Sequence, residues 1–151
     1  MRAVIQRVLS ASVIIEKNVY SQINNGLLVL LGISPEDTDN DIEWLTNKII
    51  NLRIFNDSNN LMNLSLIDIT GEILIVSQFT LHAYTKKGNR PSYTKAAKPE
   101  IAIPLYNKFV EYCQSILKEN VKTGLFGAMM QINLINDGPV TIIIDTKNKD
   151  L

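Results

Sequence analysis

Residues 1–33, MRAVIQRVLSASVIIEKNVYSQINNGLLVLLGI, decide the fold class. Their apolar residues are largely β-branched and gather in short runs, Ala3-Val4-Ile5, Val13-Ile14-Ile15 and Leu27 to Ile33, with Ser10, Asn18 and the turn signal Asn24-Asn25-Gly26 between them. This pattern predicts a meander of strands. Arg7 stands inside an otherwise apolar strand, and alternation leaves open whether it projects into a site or towards solvent.

Moving outward, Ser34-Pro35 ends the strand pattern. Thr38 with Asp41 three residues later, beside Asp37 and Asp39, marks a helix start that complements the positive end of the helix dipole. Ile42, Leu45, Ile49 and Leu52 follow at helical spacing, so one face of this helix is buried. Asp57 to Asn60 is a loop. Ile69 to Val76 is strongly β-forming, broken only by Thr70-Gly71-Glu72, which predicts a hairpin leading into Ser77-Gln78-Phe79-Thr80-Leu81. A second helix is predicted to begin near Pro104, with Tyr106, Phe109, Val110, Cys113 and Leu117 on its buried stripe. Two further strands, Met129 to Ile135 and Val140 to Ile144, are joined by Asn136-Asp137-Gly138-Pro139.

The chain has 151 residues, 46% hydrophobic and 20% charged, which suits one ordinary soluble domain with a real core. Fifteen basic and fifteen acidic residues balance to zero, excluding wholesale attraction to nucleic acid or anionic membrane while leaving local basic patches open. One cysteine, Cys113, removes an intramolecular disulfide and fits a reducing compartment, and one histidine, His82, removes imidazole clusters. The longest apolar run is far shorter than the roughly 20 residues that span a bilayer, and Arg7 interrupts the stretch where a signal peptide needs its apolar region. A cytoplasmic protein without membrane attachment is expected.

Four features invite chemistry, and each has a plain structural explanation beside it. Ser77 at a strand end has a nucleophile's hydroxyl, but it needs a base within hydrogen-bond reach, and His82 falls on the opposite face of a continued strand. No Gly-x-Ser-x-Gly elbow is present. The backbone amides of Ser77 to Thr80 offer a second use, as oxyanion donors that require no ionisable side chain. Gly138-Pro139 is either an ordinary turn or a cis peptide that fixes its flanking carbonyls. Between Tyr84 and Pro99, Lys86, Lys87, Arg90, Lys95 and Lys98 occur without an acidic residue and interleave with Tyr84 and Tyr93; this is a solvated loop or an RNA contact. Walker and Gly-x-Gly-x-x-Gly nucleotide motifs are absent, and no metal-ligand set is recognisable.

Taken together the segments resemble the D-aminoacyl-tRNA deacylases, also called D-tyrosyl-tRNA deacylases, over essentially the whole chain. The resemblance is carried by Met1 to Val8, by Ser77 to Leu81 matching the family's SQFTL motif, by Lys87 to Ser92, by Gly124 to Ala128, and by Asn136 to Thr141 matching NxGPVT. It implies hydrolysis of the ester joining a D-amino acid to the terminal adenosine of tRNA, removal of glycine mischarged on tRNA, and rejection of L-aminoacyl-tRNA. No cofactor or metal is implied. Ser77, Gln78, Phe79 and Thr80 take the catalytic pocket, and Met129 and Arg7 take weaker assignments beside it. Gly138 and Pro139 take the role of a chiral filter reaching into the other subunit of a homodimer. Lys86, Lys87 and Arg90 become candidate tRNA contacts. The family admits two mechanisms, a Thr80 nucleophile or activation of water by the RNA 2′-hydroxyl, and the missing local base favours the second.

The elements and the resemblance together predict a strand-rich mixed α/β fold as a single layered domain over residues 1–151. Its sheet is mainly antiparallel or mixed, with two main helices packed on one side. The rival reading is a tRNA-binding module that has lost hydrolysis, for which damage to SQFTL or NxGPVT would be the sign; neither motif is damaged.

Overall fold

The amino-terminal stretch forms one strand where two were predicted: β1 runs unbroken from Arg2 to Ile15 in a computed structural model that describes residues 1–150. Ser10 does not separate strands. Across the step from Val8 to Ser10, two residues of β1 stand against one of its neighbour, so a one-residue bulge at Leu9 changes the face to which side chains point. Before the bulge Ala3 and Ile5 enter the core under the helices; after it Ala11 and Val13 enter a second core on the other face. Leu9 itself is exposed.

β2 (Asn18–Ile23) and β3 (Gly26–Gly32) return along β1 as the meander requires, both antiparallel to it. β3 is apolar at nearly every position because it is buried on both faces: Leu27, Val29 and Leu31 face the helix core and Leu28 faces the second core. Its other edge takes a parallel neighbour, which has to be reached by a crossover, and α1 (Asp39–Ile50) begins that connection. Asp41 accepts from the Thr38 backbone N–H at 2.8 Å, as its place three residues into the predicted start implies. Ile42, Leu45 and Ile49 are buried as the spacing predicts.

β4 (Phe55–Asn56) and β5 (Met62–Leu64) form a small separate sheet around the loop of Asp57 to Asn60. The hairpin predicted at Thr70-Gly71-Glu72 does not form. Residues from Ser65 to Gly71 turn the chain, pinned by Asp68, which accepts from both the backbone and the hydroxyl of Ser65. β6 (Glu72–Ser77) then enters the main sheet parallel to β3.

α2 (Pro99–Leu117) starts five residues earlier than predicted, with Pro99 in its first turn and Pro104 inside. Pro99 is the residue that uses the first-turn tolerance for a missing N–H. Ala102, Tyr106, Phe109 and Cys113 form its buried stripe, and the Tyr106 hydroxyl donates to the Ile75 carbonyl at 2.8 Å, tying the helix to β6. β7 (Val121–Thr123) extends the parallel side of the sheet.

The last two predicted strands are one element, β8 (Gln131–Asp145), antiparallel to β1 along most of its length. Asn136 to Pro139 does not reverse the chain. Between Gln6 and Val8 of β1, β8 passes from Thr141 to Asn136, so extra residues are pushed out as an excursion from the strand. The six-stranded mixed sheet runs β2-β1-β3-β6-β7 with β8 on the free edge of β1, and α1 and α2 share one core on one face. No helix is long and apolar enough to cross a membrane among the described residues.

Candidate functional site

A cleft of about 710 Å³ opens where the parallel strands β3 and β6 end. Carboxyl ends of parallel strands are the common ligand position in α/β sheets, because the chain leaves the sheet there and splays into loops. Leu31 and Val76 make the floor, and the wall continues into Ser77, Gln78 and Phe79. On the opposite side stand Tyr93 and Ala96 to Pro99, and the segment from Phe126 to Met130 closes the third side.

Gln78 leaves the sheet by donating its backbone N–H to the Leu31 carbonyl at 2.7 Å, and Phe79–His82 then coil into a single 3-10 turn. The first two amides of that turn, on Phe79 and Thr80, have no hydrogen-bond acceptor among the described residues. The Gln78 side-chain amide donates to the Thr80 hydroxyl at 2.6 Å. An amide N–H orients that oxygen but cannot take its proton, so the contact does not make Thr80 a nucleophile. Thr80 is half-buried and lies outside the cleft lining.

His82 is not a partner for either hydroxyl. It packs beside Gly32 with its Nε2 buried and unpaired, and burial lowers the imidazole below its usual range. No histidine, aspartate or glutamate lines the cleft, and among the described residues no cluster of such side chains could hold a metal ion. The cleft therefore offers hydroxyls, aromatic faces and the free amide of Phe79, with no carboxylate or imidazole base.

Phe79 is exposed by 56% and meets Tyr93 edge-to-face, ring centroids 5.0 Å apart, at the cleft mouth. Met129 is 91% exposed on the opposite rim. In the sequence Tyr93 stands out only as a neighbour of cations, Lys98 only as one of them and Phe126 only within the Gly124 to Ala128 segment, and Met130 carries no local signal for the cleft. They are brought there by the loop anchored through Ala97, whose N–H donates to the Ile33 carbonyl at 2.9 Å, and by the connection after β7.

Gly138 and Pro139 are exposed and absent from the cleft of their own chain. Their peptide bond is cis. Arg7 is buried beneath them: its Nε donates to the Asp137 carbonyl at 3.0 Å and pairs with the Asp137 carboxylate at 3.1 Å, and its guanidinium also donates to the Ile54 carbonyl. The question the sequence left open about Arg7 is thereby answered, since it points inward as an anchor. Asn136 closes the excursion, accepting from the Val140 N–H at 2.8 Å.

Lys86, Lys87 and Arg90 are exposed on a loop tip beyond the two backbone hydrogen bonds that join Tyr84 to Ser92. They do not line the cleft. The three groups of candidate residues thus occupy three places in the chain: the cleft, the β8 excursion and the basic tip.

The family model of D-Tyr-tRNA(Tyr) deacylase matches residues 4–145. Proteins named D-aminoacyl-tRNA deacylase from Flavobacterium psychrophilum and Parabacteroides distasonis are 62% and 61% identical over 150 residues, covering 99% of this chain and 100% of each relative. A solved structure described as a c-Myc DNA unwinding element binding protein superposes with a TM-score of 0.92 at 44% identity, covering 97% of this chain and 99% of that one. The structure of a probable eukaryotic D-amino acid tRNA deacylase shares the fold, with a TM-score of 0.80 at 17% identity over 95% of this chain and 98% of that one.

Proposed function

The chain belongs to the D-Tyr-tRNA(Tyr) deacylase family, and on that premise we propose that it hydrolyses the ester of D-aminoacyl-tRNA to free D-amino acid and tRNA. The observation that carries the mechanism is the cleft itself, which presents hydroxyls and the unpaired amide of Phe79, with that of Thr80 next along the turn, but neither a carboxylate nor an imidazole. The RNA then supplies the proton relay. Water adds to the ester carbonyl while hydrogen-bonded to the vicinal 2′-hydroxyl of the terminal ribose. The amides of Phe79 and Thr80 hold the developing oxyanion, the bond to the 3′-oxygen breaks, and the proton passes to that oxygen through the 2′-hydroxyl. Ser77 and Gln78 shape the pocket, and Gln78 also holds the Thr80 hydroxyl just outside the lining.

Chirality is filtered at the Gly138-Pro139 excursion. Because it does not reach its own cleft, it acts in the cleft of a second copy, and the site is completed by a homodimer. Leu9 and Ile135, apolar and exposed on the strands that carry the excursion, support an interface there. Carbonyls fixed against the α-amino group leave room for hydrogen or a D side chain and set an L side chain against backbone, whatever its chemistry. Glycine attached to tRNA is then cleaved as well. Met129 borders the aminoacyl end, Arg7 steadies the filter, and Lys86, Lys87 and Arg90 contact phosphates of the tRNA body. This activity belongs in the cytoplasm, where tRNA is charged and used.

The test is deacylation of matched D-tyrosyl-tRNA and L-tyrosyl-tRNA by the purified protein in chelator. Rapid loss of the D ester alone is expected. Equal loss of both overturns the filter, and loss of neither replaces hydrolysis with a tRNA-binding module.

A further inference from the structure

The cleft is lined almost wholly by uncharged residues, while the substrate that the proposed function places there carries a phosphodiester immediately beyond its terminal nucleoside. Only one residue of the lining has a charge, Lys98. Resting on the deacylase reading, we propose that Lys98 is a positioning residue that pairs with the phosphate linking the terminal adenosine to the preceding nucleotide, and so sets the depth to which the RNA end enters.

Three observations support this. Lys98 makes no ion pair or side-chain hydrogen bond among the described residues. Lys95 lies over the Tyr84 ring, Lys108 pairs with Asp39, Lys147 with Asp41 and Lys149 lies over Trp44, and of the lysines left without such a partner Lys98 alone lines this cleft. A lysine beside a cleft with no internal partner is available to a ligand anion.

Its backbone is held although its side chain is not. The Lys98 carbonyl accepts from the N–H groups of Ile101 and Ala102, both at 2.9 Å, and the preceding residue donates to the Ile33 carbonyl just beyond β3. The Cα is therefore fixed relative to Ser77 and Phe79, while the four-carbon stem lets the ammonium follow a phosphate at the mouth.

Finally, the aromatic groups are arranged to leave the phosphate outside. Phe79, Tyr93 and Phe126 offer apolar faces to adenosine and the aminoacyl group, and a phosphate cannot be desolvated among them without a counter-charge. Lys86, Lys87 and Arg90 lie on the loop tip outside this lining, so they serve more distant phosphates.

The experiment compares two non-hydrolysable analogues, 3′-(D-tyrosylamino)-3′-deoxyadenosine with and without a 5′-phosphate, binding to wild type, Lys98→Ala, Lys98→Arg and Lys122→Ala, the last an exposed lysine away from the cleft. The phosphate is expected to tighten binding to wild type by about three- to tenfold, with Lys98→Ala losing that increment and Lys98→Arg and Lys122→Ala keeping it. With D-tyrosyl-tRNA, Lys98→Ala is expected to raise KM with kcat little changed. An increment that survives in Lys98→Ala, or a phosphate that adds nothing to wild-type binding, overturns the proposal. Wild type that binds the analogues as expected but leaves D-tyrosyl-tRNA intact overturns the deacylase reading and, with it, the role of Lys98 in that reaction. Wild-type hydrolysis with an unchanged KM in Lys98→Ala overturns the role of Lys98 alone.

Discussion

At the scale of single residues, hydroxyl chemistry in the site is limited by what surrounds it. Thr80 accepts from an amide and Ser77 has no base, so Ser77→Ala and Thr80→Val are each expected to keep kcat within about tenfold of wild type, whereas losing a true nucleophile costs on the order of 10⁴-fold or more. Single-turnover rates on D-tyrosyl-tRNA make the distinction. Cys113 is the converse case of a reactive group made inert: burial pushes its thiol up to about 12, with the Thr46 hydroxyl only partly offsetting this. It is expected to resist a disulfide reagent at pH 8 in the native protein and to react at once in urea. His82 gives the pH dependence. Burial lowers its imidazole from 6.5, so below that value the unfolded chain binds a proton more readily than the folded one. Stability is fully present above pH 6.5 and falls as pH drops through that value towards the lower folded one, and the urea midpoint of wild type is expected to decline there more than that of His82→Gln.

At the scale of elements, the sequence displayed periodicity faithfully and continuity poorly. Ile42, Leu45 and Ile49 on α1, and Tyr106, Phe109 and Cys113 on α2, were legible because helical spacing of apolar residues has one physical meaning. The breaks in β1 and β8 were misread because a bulge and an excursion use the same polar, glycine and proline residues as a turn, and only pairing with another strand distinguishes them. The SQFTL and NxGPVT residues were legible as motifs. Their separation in the chain was implied only by the family resemblance and not by spacing, since it depends on which strand end each occupies. The β3–β6 pair can be tested through Gly26, where an added Cβ would lie 1.8 Å from the Glu72 carbonyl oxygen. Gly26→Ala is expected to be destabilised by about 3 kcal/mol or more, or not to fold, because backbone rather than a side-chain tip must move. The excursion can be tested through Arg7: lysine cannot reproduce its fork of contacts to Asp137 and Ile54, so Arg7→Lys is expected to lower the ratio of D to L hydrolysis with little loss of hydrolysis itself.

At the scale of the whole molecule, the proposed reaction divides its labour between copies of the chain. A cleft-deficient Phe79→Ala protomer mixed with an excursion-deficient Pro139→Ala protomer is expected to regain chirally selective turnover through the sites that pair an intact cleft with an intact excursion. Subunit exchange followed by assay on both esters checks this, and a mixture no better than its parts would show that each chain works alone. One feature of the cleft also bears on how such an enzyme changes over generations. Its floor residues, Leu31 and Val76, are 1% and 2% exposed, and each belongs to one of the two cores on opposite faces of the sheet. Carving a deeper pocket there opens a hole in the frame, at about 2–5 kcal/mol for a leucine cut back to alanine. Innovation is thereby steered to the rim, where Tyr93, Lys98 and Met129 can be exchanged without touching the foundations. The lineage is free to revise its manner of gripping RNA long before it can revise the size of the amino acid it accepts.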